Sequence, residues 1–167
     1  MDLLFDELFA ILGTQTALYR SLLLLLHKEK EAVVGSDLRN LKRINSEKHV
    51  LTSKIQALEH ERLHVLEKFR EVVRGGSTEE LTLKRLSDLC CGRFSDQLRA
   101  CRSILSALTR QVRDANDRNS RLLTHAIDIV NSSAELLNNL IASDSIYHHN
   151  GKILKKNGIG GVFSGTV

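Results

Sequence analysis

The chain has 167 residues, no proline and no tryptophan, with 42% hydrophobic and 26% charged residues, the length and balance of one soluble domain. Its 24 basic and 20 acidic residues leave a net charge of +4 that is spread along the chain and is locally basic only in "LRNLKR" and "KILKK". That distribution describes an interleaved solvated surface and argues against a nucleic-acid-binding face. The apolar residues are mostly leucine, with five Phe and two Tyr, so the core draws on straight-chain helix formers, and the missing proline favours long helices. The expected class is all-α.

The first stretch, "MDLLFDELFA", begins with acids where a secretory signal carries a basic region, so no export or transit peptide is expected. Leu22 to Leu26 form a run of five leucines, but Arg20 and "HKEKE" bound it well short of the ~20 apolar residues that span a bilayer. Periodicity explains the run better. Leu4, Leu8, Ile11, Gln15, Leu18, Leu22 and Leu25 recur at spacings of three and four, flanked every seventh residue by Phe5, Leu12, Tyr19 and Leu26. This predicts a first helix over residues 3–33 with a wide apolar stripe.

Gly35 with Ser36 and Asp37 then offers a stop and a new N-cap. Beyond it Leu41, Ile44, Lys48, Leu51, Ile55, Leu58, Arg62, Val65, Phe69 and Val72 hold the same spacing through a second helix that runs to Arg74. "RGGSTEE" supplies two helix-ending glycines, and Ser77 followed by Glu80 reads as a capping box for a short third helix that stops near "CCGRF". After Gly92 the seam runs Leu98, Cys101, Leu105, Leu108, Val112, Ala115, Asn119, Leu122, Ala126, Ile129, Ser133, Leu136 and Leu140, which predicts a fourth helix of about 50 residues. The expected architecture is an elongated antiparallel bundle, or long helical hairpin, over residues 1–143.

Within "ANDRNSRLLTHAI", Asn119 falls on the seam and Asn116 on its edge. Asparagine is a poor helix-interior residue, because its amide competes for backbone groups. At a single seam position it either specifies register or partner at some cost in stability, or is half-exposed and merely tolerated, since seam assignments drift over long helices. Gln15, Lys48, Arg62 and Ser133 are polar seam residues of the same kind. On the first reading Asn119→Leu preserves or raises stability while loosening register.

"HERLH", His60 to His64, matches H-E-x-x-H, the pattern in which two helical histidines hold zinc and the glutamate acts as general base. Both histidines lie off the Leu58, Arg62, Val65 seam, so water-facing side chains are expected and no zinc site is assigned. His148 and His149 are expected to be solvated. Cys90, Cys91 and Cys101 have neither metal spacing nor a disulfide framework, suit a reducing cytoplasm, and have no histidine base placed beside them by the sequence. No catalytic, metal or cofactor residue is assigned, and no enzyme is expected.

The leucine-rich first helix is followed by "DLRNL" from Asp37, Glu47 with Lys48 and Leu51, Arg62 late in helix two, "NDRNSRLL" from Asn116 to Leu123, and "IYHHNGK" leading into a glycine-rich end. Together these features resemble the FlgN family. The resemblance covers essentially the whole chain. It implies a cytoplasmic chaperone of flagellar type III export that binds the C-terminal region of the hook-filament junction proteins FlgK and FlgL. It further implies that this chaperone prevents their premature assembly and delivers them to the flagellar export gate, with neither nucleic acid nor membrane insertion involved. Consistent with a protein that hydrolyses no nucleotide, there is no G-x-x-x-x-G-K-[ST] loop.

Partner-binding residues expected on helix four are Asn116, Asn119, Leu122, Leu123, Ile129, Val130, Leu136, Leu137 and Leu140, because the helix turns apolar on more than one face toward its C-terminal end. Residues 144–167 are expected to form a flexible tail, since five of the ten glycines lie between Gly151 and Gly165 and no acid follows Asp144. Tyr147, Ile153 and Leu154 would be its sticky element, steered by Lys152, Lys155 and Lys156. The rival class is a structural or regulatory coiled coil that forms homo-oligomers through the same surplus leucines.

Overall fold

The computed structural model describes residues 2–74 and 81–143, which form α1 (Asp2–Val34), α2 (Leu38–Arg74), α3 (Leu83–Leu89) and α4 (Arg93–Ser143). No strand occurs among the described residues, and the all-α class expected from composition is the class observed. The chain divides into two compact units, residues 1–123 and residues 124–167. The predicted tail and the Ser77–Glu80 capping box lie outside the described residues.

In the first unit α1 and α2 pair as a long antiparallel hairpin. Leu25 and Ala32 pack with Ile44, Leu22 and Leu26 with Ile55, and Phe5, Leu8 and Leu12 with Val65, Leu66 and Phe69. Apart from Ala32 and Leu66, these are the residues that the three-and-four spacing placed on one stripe of each helix, and burying that stripe is what holds the two helices together. Leu98 and Leu105 of α4 join the Phe69 cluster, while Val112 and Ala115 join the Ile55 cluster. Within this unit α4 therefore runs antiparallel to α2 and alongside α1 in the same direction. Val72 departs from the predicted seam: it is exposed, one turn beyond Phe69 and the last layer of the core.

Aromatic side chains mark that end of the hairpin. Phe5 stacks on Phe94 with ring centroids 4.3 Å apart and meets Phe69 at 4.7 Å, so one ring from each of α1, α2 and α4 converges there. Such pairs add about 0.5–1.5 kcal/mol beyond their buried area. The same cluster takes in Leu81 and Leu86, which anchors α3 to the long helices.

The α1–α2 turn ends one helix and starts the next within three residues. Ser36 N–H donates to Val33 O at 3.1 Å and Asp37 N–H to Ala32 O at 2.9 Å, the paired bonds of a Schellman ending. The left-handed residue this ending requires is Ser36, at φ 54°, and Gly35 is not in that conformation. Asp37 then caps α2, its Oδ1 accepting from Asn40 N–H at 3.0 Å. α3 begins at a different cap from the one the sequence offered: Thr82 Oγ1 accepts from Arg85 N–H at 3.3 Å. The stop before α4 is Gly92, left-handed at φ 69°.

By length and composition α1 as a whole is long and apolar enough to cross a membrane, although the leucine run inside it is not, and a third of the relevant stretch is buried (33%) in the fold. Its stripe faces α2 and α4, and it also buries two polar side chains, Gln15 and Glu29.

A serine held left-handed carries a steric cost that glycine does not. Ser36→Gly is expected to raise stability by about 0.5–1 kcal/mol after allowing for the more flexible unfolded chain. Urea denaturation would register this as a higher midpoint at constant slope.

Candidate functional site

The polar residues on the apolar seams are gathered into two nodes. The first joins three helices around Glu29 of α1, a carboxylate only 4% exposed. Lys48 Nζ from α2 donates to Glu29 Oε1 at 2.7 Å. Asn119 Nδ2 from α4 donates to Glu29 Oε2 at 2.8 Å and to Leu26 O at 2.7 Å, so both of its amide hydrogens are used. A buried carboxylate is tolerable only when its oxygens are paired, and here each oxygen has a donor from a different helix. Sliding α4 by one turn would break this arrangement, which is how one amide sets the register of a helix otherwise held by interchangeable leucines.

In the second node Gln15 Nε2, buried on α1, donates to Glu59 Oε2 at 3.1 Å, and Arg62 one turn on clamps both oxygens of the same carboxylate. The hydrogen bonds from Arg62 outweigh the opposing effect of burial and hold the Glu59 carboxyl below the ordinary carboxylate value, while the reciprocal bonds raise Arg62.

Of the residues expected to bind a partner, Asn119 is buried and committed to Glu29, whereas Asn116 is exposed, so the two asparagines do different work. Leu122 and Leu123 are half-buried. In the second unit Ile129, Val130, Leu136, Leu137 and Leu140 are all exposed, between 57% and 66%, joined by Ile127 and by Ile141 at 74%. They form two adjacent stripes, Ala126, Ile129, Leu136 and Leu140 beside Ile127, Val130, Leu137 and Ile141, each at three, four or seven. Tyr147, Ile153 and Leu154 lie outside the described residues. Ser133, grouped with the seam amides by spacing, is exposed and bonds back to Ile129 O of its own helix at 2.8 Å.

His60 and His64 are exposed on α2, and among the described residues no three metal-binding side chains gather. Burial raises the Cys90 and Cys101 thiols above their ordinary value, which disfavours the nucleophilic thiolate. Glu29 and Glu59, the acceptors at the centre of both nodes, were not singled out from sequence. Glu29 continues the α1 stripe at Leu22, Leu26 and then Glu29, a signal that was present.

A paired α1–α2 hairpin with a third long helix registered on it by a buried amide defines an all-helical bundle, and the comparisons place that bundle in a family. The family model described as FlgN protein matches residues 1–155, and the chain belongs to the FlgN family. FlgN is a chaperone family of the flagellum, and membership points to a flagellar export chaperone. No curated protein and no solved structure matches the chain.

The geometry of the first node reverses the expectation for Asn119→Leu. That substitution leaves a Glu29 oxygen without its donor in a dry site, and a loss of about 1–3 kcal/mol is expected from chemical denaturation. A double-mutant cycle of Asn119→Leu with Glu29→Leu would show strong coupling, because the second change removes the orphaned carboxylate.

The second node predicts an acid effect. A carboxylate with a depressed folded value contributes stability above its unfolded value, near 4.5, and loses it as pH falls through the lower folded one. Glu59→Gln is therefore expected to flatten the fall of thermal stability below pH 4.5 relative to the parent chain.

Proposed function

We propose that the chain is a cytoplasmic chaperone of flagellar type III export. It holds the C-terminal region of the hook-filament junction proteins FlgK and FlgL, keeps them from assembling prematurely, and presents them to the export gate. Family membership supports the general role, and one observation supports the mode of binding. Two parallel apolar stripes stand exposed over Ile127 to Ile141 of α4, a wider apolar face than a water-facing helix needs.

A cargo segment that is amphipathic and orders on contact buries its own apolar side against such a face and offsets the ordering cost there. The segment from 124 to 143 carries Asp128 and Glu135 but no Lys or Arg, so the stripe is rimmed by acids and amides and suits a cargo helix with basic flanks. Tyr147, Ile153 and Leu154 are assigned to the second contact, toward the gate or the cargo, on composition.

The reading is tested with the full chain and the C-terminal peptides of FlgK and FlgL in calorimetry. A one-to-one complex is expected. Leu136→Asp with Leu140→Asp should weaken it by more than about tenfold, with the melting temperature essentially unchanged because both residues are exposed. Truncation after Ser143 should leave the helices folded while secretion of both junction proteins falls. If neither peptide binds, and the double variant instead abolishes self-association in sedimentation, the leucines serve a coiled-coil oligomer and the chaperone reading fails.

A further inference from the structure

Beside the second polar node lies a surface groove of about 480 Å³, walled by all four helices and far along the sequence from the exposed stripes of α4. Gln15 and Tyr19 of α1 line one side, Glu59 and Arg62 of α2 another. The start of α3 contributes Leu83 and Lys84, and α4 contributes Arg102 and Leu105. Its charge is unbalanced. Among the described residues three cations line it against one carboxylate, and that carboxylate is already clamped by Arg62.

Lys84 and Arg102 are exposed, come from different helices, and have no carboxylate partner among the described residues. Two cations without a carboxylate partner among the described residues, lining one concave site, create a positive potential there. Tyr19, Leu83 and Leu105 give the same groove apolar lining, from which a bare inorganic anion gains nothing. The eight residues from Arg102 to Thr109 span about 10 Å of α4, a length that matches about three residues of an extended chain.

We infer that this groove is a docking site for a short acidic peptide segment of a partner protein, with carboxylates on Lys84 and Arg102 and an adjoining apolar side chain against Tyr19, Leu83 and Leu105. It shares no residue with the cargo face proposed on α4.

The probe is a fluorescein-labelled Glu-Glu-Leu-Glu-Glu peptide, titrated with the full-length chain in anisotropy at low salt. Binding is expected to weaken with added salt, and by about tenfold or more when the peptide's Glu are replaced by Gln or when the protein carries Lys84→Glu with Arg102→Glu. Lys84→Arg with Arg102→Lys should retain it. Both positions are exposed, so circular dichroism is expected to show unchanged helicity in the variants. The inference is overturned if the Gln peptide binds equally, or if charge reversal leaves affinity intact. Competition by equimolar inorganic phosphate would overturn it too, by revealing a simple oxyanion site. Loss of binding in the Leu136→Asp, Leu140→Asp variant would also overturn it by placing the peptide on the α4 face, whereas failure of the junction-protein titration leaves this measurement unaffected.

Discussion

A carboxylate buried between three helices sets the terms for the rest of the first unit. Leucine stripes attract one another without direction, and a helix with apolar residues every three or four positions can dock in several registers with similar burial. Glu29 removes that freedom. Its two oxygens require two donors, and the only arrangement seen sets Lys48 of α2 and Asn119 of α4 opposite the same turn of α1. Once that turn is fixed, Ala115 meets Leu22 and Leu26 four residues earlier, and Leu98 reaches the Phe5 and Phe69 cluster at the far end of the hairpin. Specificity comes from the polar group, and most of the attraction comes from the apolar groups around it.

Much of this was legible in the residues because each long helix has one dominant period. The stripe Leu8, Ile11, Gln15, Leu22, Leu25 is buried as spaced, and so are Ile44, Ile55, Val65 and Phe69 across from it. Spacing also put Asn119 on the buried side. What spacing could not supply was the identity of the acceptor, since the partner is 90 residues away and a single helix pattern contains no information about which seam residue it will face. The changed expectation for Asn119→Leu follows directly: an amide judged alone is a tolerated defect, while an amide donating to a buried carboxylate is half of a pair.

Local chemistry was harder to read than periodicity. Gly35 was the natural candidate for the left-handed residue because glycine adopts it freely, yet the helix runs one residue further and Ser36 takes the conformation, since Asp37 must reach back to Ala32 O while also capping α2. Ser77 and Thr82 are both sound N-caps, and the burial of Leu81 and Leu86 against the aromatic cluster favours the start that Thr82 provides. The site residues on α4 divide in the same way. Apolar width was visible in the sequence, whereas the opposite fates of Asn116 and Asn119, one wet and one dry, depend on the rotation of a long helix against its neighbours.

The three-residue turn at Gly35 to Asp37 also sets an order of assembly. Contacts next to it are local: Glu29 to Lys48 spans 19 residues, and each further layer of the hairpin adds a modest increment, so the pair can close like a zipper outward from the turn toward Phe5 and Phe69. Short loops close at small entropic cost and quickly, whereas Asn119 must find Glu29 across 90 residues. The ribosome imposes the same sequence, because α1 and α2 emerge whole before α4 is made. A nascent chain therefore has a preformed two-helix track with Glu29 half-satisfied by Lys48, on which the last helix threads until its buried amide, Asn119, comes to rest.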